Sequence, residues 1–304
     1  MRVSSALAAL TAAGAAGLGY SWVEARAFTL RSFTLPVLPP GAAPIRVLHL
    51  SDLHLVPRQH RKRDWLASLA RLEPDLVVST GDNLAARDAV PAVLAAHGAL
   101  LDRPGVFVLG SNDYWAPRPK SPVRYVLPNG GRQRVHGERL PTAELVEGFR
   151  AAGWLDLTNR RGRLKIGPAL LEFVGVDDAH LDYDRYDEVA GPADRAADLT
   201  VGVTHAPYRR VLDAMTTDGA GLVLAGHTHG GQLRVPGIGA LVTNCDLPRR
   251  QARGTSRWQA PASSGPASWL HVSAGMGTSP FTAVRFACRP EASLLTLVSP
   301  EVLA

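Results

Sequence analysis

Three observations predict an α/β fold. Short apolar runs suited to strands alternate with stretches whose apolar residues recur at helical spacing. Each of the first three runs ends in polar residues: Ser51-Asp52-Leu53-His54, Gly81-Asp82-Asn83 and Gly110-Ser111-Asn112-Asp113. The composition is globular, with 304 residues of which 46% are hydrophobic, 20% charged and 6% aromatic. That length suits one large domain or two modest ones. Ligands of open α/β sheets sit outside the strands' carboxyl ends, so the polar clusters point to a site as well as a fold. A net charge of +6 favours anionic partners without naming one. Two cysteines, Cys245 and Cys288, cannot form a disulfide framework or a Cys-rich zinc site. There is no internal repeat, coiled coil or P-loop.

Taken in order, Val3 to Val23 carries no charge and ends near Tyr20 and Trp22. Such a segment can span a bilayer with aromatics at its interface, although alanine and glycine make it weakly apolar. Ala25-Arg26-Ala27 also resembles a small-x-small cleavage site. Residues 1–24 therefore read as a membrane anchor or a cleaved signal, with a soluble helix as the third reading. Which side of a membrane the remainder would face stays open, and cleavage would give a secreted form. Residues 25–44 read as a Pro-rich linker and 45–304 as the folded domain.

Ile45–Leu50 is the first strand, and an extended backbone beyond it would put Asp52 and His54 on one face. That pair is half of a metal site, or else a helix-capping Asp beside an exposed His. A helix over about Arg61–Leu72 has Trp65, Leu66, Leu69 and Leu72 on one face and closes at Pro74. Leu76–Thr80 is the second strand, Pro91–Leu101 a returning helix, and Val106–Leu109 the third strand. Periodicity then disappears from Tyr114 to Arg139, where Pro117, Pro119, Pro122 and Pro128 break regular structure. Its arginines make it either a basic solvated loop or a lid, with Arg118 and Arg124 as candidate phosphate ligands, since Arg forks match phosphate oxygens.

A helix over about Thr142–Ala152 precedes strands at Leu155–Leu157, Arg163–Ile166 and Leu170–Val174. The acidic cluster of Asp177, Asp178, Asp182 and Asp184 around His180 matches no metal-loop spacing and reads as surface. Leu199–Val203 delivers His205. The run Gly221–Leu224 enters Ala225-Gly226-His227-Thr228-His229-Gly230-Gly231-Gln232, whose glycines let both histidines turn toward one point. Alone, that pair reads as polar residues on a surface turn. Repetition of the same ligand chemistry at three other strand ends makes it a metal site. Leu233–Val235 continues as a strand. Pro248–Trp258 holds Arg249, Arg250, Arg253 and Arg257 with a single aromatic, too little interleaving for a nucleic-acid platform. It reads as a face toward an anionic substrate or membrane, or as a solvated loop.

Asp52-x-His54, Gly81-Asp82, an Asn after the third strand, Thr204-His205-Ala206-Pro207 and Gly226-His227-x-His229 occur in that order. This series resembles the calcineurin-like metallophosphoesterase family, over about residues 43–300. In particular it resembles the bacterial subgroup with an amino-terminal membrane segment. The resemblance implies two facing mixed β-sheets flanked by helices, and hydrolysis of a phosphomonoester or phosphodiester at a dinuclear metal centre with a bridging hydroxide. It implies two divalent ions (Mn, Fe or Zn) sharing Asp82, with Asp52, His54 and His229 completing one site and Asn112, His205 and His227 the other. An anionic phosphoester, of lipid or cell-envelope origin, is the expected substrate.

The chain departs from the family at Gly-Ser-Asn-Asp, where the pattern is Gly-Asn-His-Asp or Gly-Asn-His-Glu. Counting from Gly105 sets Asn112 against the ligand Asn and Asp113 against the catalytic His. Asp113 is then expected to orient its neighbours, with His136 or His180 as replacement acids if a loop brings either near. The competing readings are a binding or scaffold domain on the same fold, and a metal-dependent hydrolase of another bond. Oligomeric state is open.

Overall fold

The computed structural model describes residues 2–119, 137–261, 263 and 265–303. Helix α1 (Arg2–Glu24) leads into β1 (Thr29–Pro36), β2 (Ile45–Leu50), α2 (His60–Ser68), β3 (Leu76–Ser79), α3 (Val90–His97) and β4 (Gly105–Phe107). A one-turn α4 (Ser111–Tyr114) and α5 (Thr142–Ala151) precede β5 (Leu155–Asp156), β6 (Arg160–Ile166), β7 (Ala169–Gly175) and β8 (Leu199–Val203). Then come α6 (Arg209–Thr217), β9 (Leu222–Ala225), the small pair β10 (Arg234–Val235) and β11 (Gly239–Ala240), β12 (Gly254–Trp258), β13 (Ser268–Val272) and β14 (Glu291–Val298).

These strands make two six-stranded mixed sheets, ordered β1-β14-β2-β3-β4-β5 and β12-β13-β9-β8-β7-β6. Alternation along each strand assigns its two faces. Val47, Val78, Val106, Leu222 and Leu224 enter one apolar cluster with Phe173, Val201 and Leu295, drawn from both sheets. The alternate residues Leu48, Leu50, Val77 and Phe107 pack instead with Leu66, Val93 and Phe149 of α2, α3 and α5. On the second sheet Val223 and Leu270 pack with Leu212 and Met215 of α6. Strands β2, β3 and β4 are mutually parallel, as are β8 and β9. Their carboxyl ends therefore lie together at one edge of each sheet, where the polar loops begin.

Three expectations are corrected. The stretch read as a linker contains β1, paired in parallel register with β14 from Thr29 opposite Glu291 to Pro36 opposite Val298. The run from Pro248 to Trp258 is not a plain loop, because its second half is β12, antiparallel to β13, and Trp258 is buried with its Nε1 donating to Asp213 Oδ1 at 2.9 Å. Helix α1 forms over the uncharged segment, yet among the described residues no helix is long and apolar enough to cross a membrane. Alanine and glycine account for this, since neither contributes much apolar surface.

Candidate metal centre

Strand β2 stops at Leu50, so Asp52 and His54 converge by another route than strand alternation. Both adopt left-handed backbone, with φ of 50° and 41°. So do Asp82 (56°), His227 (68°) and His229 (48°). This region is costly for side-chain-bearing residues, and clusters of it occur at functional sites. Backbone bonds hold the turns: Asp52 N–H donates to Gly81 O and His54 N–H to Asp82 O, each at 2.9 Å, and Gly277 N–H to Asp52 O at 2.6 Å.

These turns gather donors from both sheets. Ligand atoms of Asp52, His54 and His229 lie within 4.8 Å of one another, as do those of Asp52, Asp82 and His205. Asp82 reaches two imidazoles with separate oxygens: Oδ2 is 3.4 Å from His54 Nε2, and Oδ1 is 3.6 Å from His205 Nε2. His229 Nε2 is 3.6 Å from Asp52 Oδ1 and 3.2 Å from His54 Nε2, and His227 Nδ1 is 3.3 Å from His205 Nε2. Asn112 lies against Asp82, its backbone N–H donating to Oδ1 at 2.6 Å and its Nδ2 to Oδ2 at 3.1 Å.

Three of the four rings are tethered by backbone carbonyls. His205 Nδ1 lies 2.7 Å from Thr80 O, His229 Nδ1 3.1 Å from Gly277 O, and His227 Nε2 3.2 Å from Asn244 O. In a neutral ring the nitrogen beside a carbonyl carries the proton, and the opposite nitrogen keeps its lone pair. Those opposite nitrogens are the ones that face Asp52, Asp82 and each other. This is the arrangement of metal-binding histidines oriented from behind. The donor set fits a divalent ion on a second count: Asp52 Oδ1 is buried without a hydrogen-bond partner, which is costly for a carboxylate oxygen unless a cation meets it.

Electrostatics reflect this crowding. Burial pushes the Asp82 carboxyl up, to about 7, with Asp52 and Asp113 adding to the rise against His205. Burial acts the same way on Asp52, but the rings of His229, His205 and His54 outweigh it and hold that carboxyl low. His227 and His229 are each pushed down to about 4, chiefly by burial, which leaves both rings neutral at physiological pH. For His205, burial works downward, and Asp82, Asp178 and Asp52 together carry it up to about 9.

Asp113 is buried beneath this layer. Its carboxylate accepts from the backbone N–H groups of Asp82 (2.8 Å), Asn83 (2.8 Å) and Gly110 (2.9 Å). It therefore ties two ligand-bearing loops together. The acidic cluster read as surface proves to be partly interior. Asp178 is fully buried and accepts from Ser111 Oγ at 2.7 Å, while Asp177 accepts from Tyr114 Oη at 2.8 Å. The same loop brings the His180 ring to 4.5 Å from the His227 ring, with Nδ1 3.0 Å from Tyr208 Oη. Sequence reasoning underrated this segment because its spacing matches no ligand loop. Arg118 is exposed, on a chain whose stem closes beside α4 where Leu140 N–H donates to Tyr114 O at 2.9 Å. Arg124 and His136 lie outside the described residues.

Residues 45–231 match the family model described as calcineurin-like phosphoesterase, more than half of the chain. The chain belongs to the calcineurin-like phosphoesterase family. It is 27% identical over 304 residues to phosphodiesterase YaeI of Escherichia coli K12, covering 95% of this chain and 96% of that one. It is 26% identical over 306 residues to the uncharacterized protein YpbG of Bacillus subtilis 168, covering 96% of each. The uncharacterized metallophosphoesterase YkuE of the same bacterium is 24% identical over 311 residues, covering 97% of this chain and 93% of its own. The family match spans the loops carrying Asp52, His54, Asp82, Asn112, His205, His227 and His229.

Proposed function

We propose that this calcineurin-like phosphoesterase hydrolyses a phosphodiester with two divalent ions. Asp52, His54 and His229 would hold one ion and Asn112, His205 and His227 the other, with Asp82 available to both. The observation that carries the reading is the tethering of His205, His227 and His229 by backbone carbonyls, with their opposite nitrogens turned inward. Bound there, ions of the Mn, Fe or Zn kind would acidify a water and neutralise phosphoryl charge. The two oxygens of Asp82, each near a different imidazole, support its place between the two sets. Asp113 spends its carboxylate on three backbone amides and so orients the loops. The name of YaeI, a phosphodiesterase, supports a diester over a monoester.

Protein stripped of metal and restored with Mn, Fe(II) or Zn should hydrolyse an aryl phosphodiester faster than the matching monoester. Undiminished turnover after stripping would sink the metal-dependent reading. Metal binding without turnover of either ester would favour a scaffold role.

We place the substrate in a membrane or cell envelope, with α1 on the lipid surface. Leu18, Tyr20, Trp22 and Val23 of α1 are exposed, and Leu18 shares an apolar groove with Leu233, Val235 and Leu241. Tyr and Trp favour the bilayer interface. Flotation of the full chain with anionic vesicles tests this placement. Protein that stays at the bottom of the gradient rules it out.

A further inference from the structure

Arg285 is fully buried. Its Nη2 donates to three carbonyls of one turn, Ala274 O at 2.6 Å, Gly275 O at 3.1 Å and Gly277 O at 2.7 Å. The same nitrogen stands 3.3 Å from His229 Nδ1, and Nη1 donates to Cys288 O at 3.3 Å. The turn it gathers supports two metal ligands at once, because Gly277 O meets His229 Nδ1 and Gly277 N–H donates to Asp52 O. One planar guanidinium thus fixes the backbone behind both Asp52 and His229. A lysine in its place could not span the same carbonyls with a rigid fork.

What holds Arg285 comes from the other end of the chain. Its backbone N–H donates to Ser21 O at 2.9 Å. Two residues on, the buried carboxylate of Glu24 accepts from Ala287 N–H at 2.9 Å and Cys288 N–H at 2.6 Å. The last turn of α1 therefore pins residues 285–288, and residues 285–288 pin the metal loops.

We infer that Arg285 is a positioning residue for the Asp52–His54–His229 half of the metal centre, and that Ser21 and Glu24 of α1 latch it in place. This inference rests on the metal-binding reading above. It makes the last turn of α1 part of the working domain, so cleavage near Ala25-Arg26-Ala27 would damage the site it leaves behind.

The test is calorimetric titration of Mn(II) into the metal-free full chain, with urea unfolding of the same metal-free samples. Glu24→Ala and Arg285→Met should each weaken one of the two Mn(II) sites about 10- to 100-fold, the usual effect of losing an orienting partner, and leave the other unchanged. Arg285→Lys should recover part of the loss, and Glu24→Gln, which keeps one acceptor oxygen, should fall between wild type and Glu24→Ala. A merely structural role would lower unfolding stability and leave both affinities of the folded protein alone, and that result overturns the inference. Equal weakening of both sites overturns it as well. Should Arg285→Met fail to fold, Glu24→Ala gives the same reading from the far end of the latch. Wild type that binds no Mn(II) would instead refute the metal reading, which separates the two failures.

Discussion

Gly110→Ala tests how closely the centre is packed. Gly110 has φ of −115° and ψ of 176°, extended backbone open to alanine. Any effect must then come from the added carbon alone. A Cβ built there would sit 2.4 Å from Asp82 Oδ1 and 2.7 Å from Cε1 and Nδ1 of His205, against ordinary contact of 3.4 Å or more. One of these groups must move by about 1 Å. Asp82 Oδ1 is held by the 2.6 Å bond it accepts from Asn112 N–H, and His205 by its 2.7 Å bond to Thr80 O, so movement breaks a tether. Overpacking of this kind costs about 1–3 kcal/mol. The gain from restricting the unfolded chain returns at most about 1 kcal/mol. The net loss should therefore be modest, whereas Mn(II) affinity should fall about 10- to 100-fold as the ligands leave their positions. Calorimetric titration beside urea unfolding measures both. Gly98→Ala is the control: its φ of 47° strains alanine, but nothing lies within 4 Å, so it should lose stability with metal affinity intact. Wild-type Mn(II) affinity in Gly110→Ala would refute the claim that Asp82 and His205 are ligands fixed in these positions.

Three further outcomes are expected. Asp82→Asn should abolish turnover of an aryl phosphodiester more completely than any other substitution among these residues, because it removes the carboxylate whose two oxygens each lie near a different imidazole; two bound ions with near-normal turnover would exclude the shared role. Asp113→Asn should cost about 3 kcal/mol or more by setting an amide against backbone N–H groups, and it should slow aryl and alkyl esters alike. A loss of about 100-fold confined to alkyl esters would instead identify Asp113 as the acid. Acid should destabilise the fold through His97, whose pKa burial lowers to about 4 against the upward pull of its bond to Val93 O. The unfolded chain takes up that proton below pH 6.5 and the folded chain does not until about pH 4, so stability is full above pH 6.5 and falls as pH drops through this window. The loss approaches about 3 kcal/mol. Between pH 7 and about 4 the difference in urea midpoint between wild type and His97→Leu should shift in the variant's favour toward acid; parallel curves would show that His97 contributes nothing.

The sequence by itself determined the strands that are buried on both faces. Ile45–Leu50 and Leu199–Val203 are legible to the residue, since continuous apolar runs have few other places to go. It also displayed the order of candidate ligand types, because carboxylate, imidazole and amide side chains at successive strand ends are visible without coordinates. Strand β1 escaped notice because it is an edge strand whose residues alternate exposure and end at Pro36, which reads equally well as linker. Asp178 escaped because burial of an acid depends on what packs over it, here Ser111 of a distant loop. Only the tertiary structure decided how the candidate ligands converge, through left-handed backbone at five of them instead of strand alternation. It alone decided which ring nitrogens face inward. The partners that settle this are the carbonyls of Thr80, Asn244 and Gly277, and every residue carries a carbonyl, so no residue type could announce them.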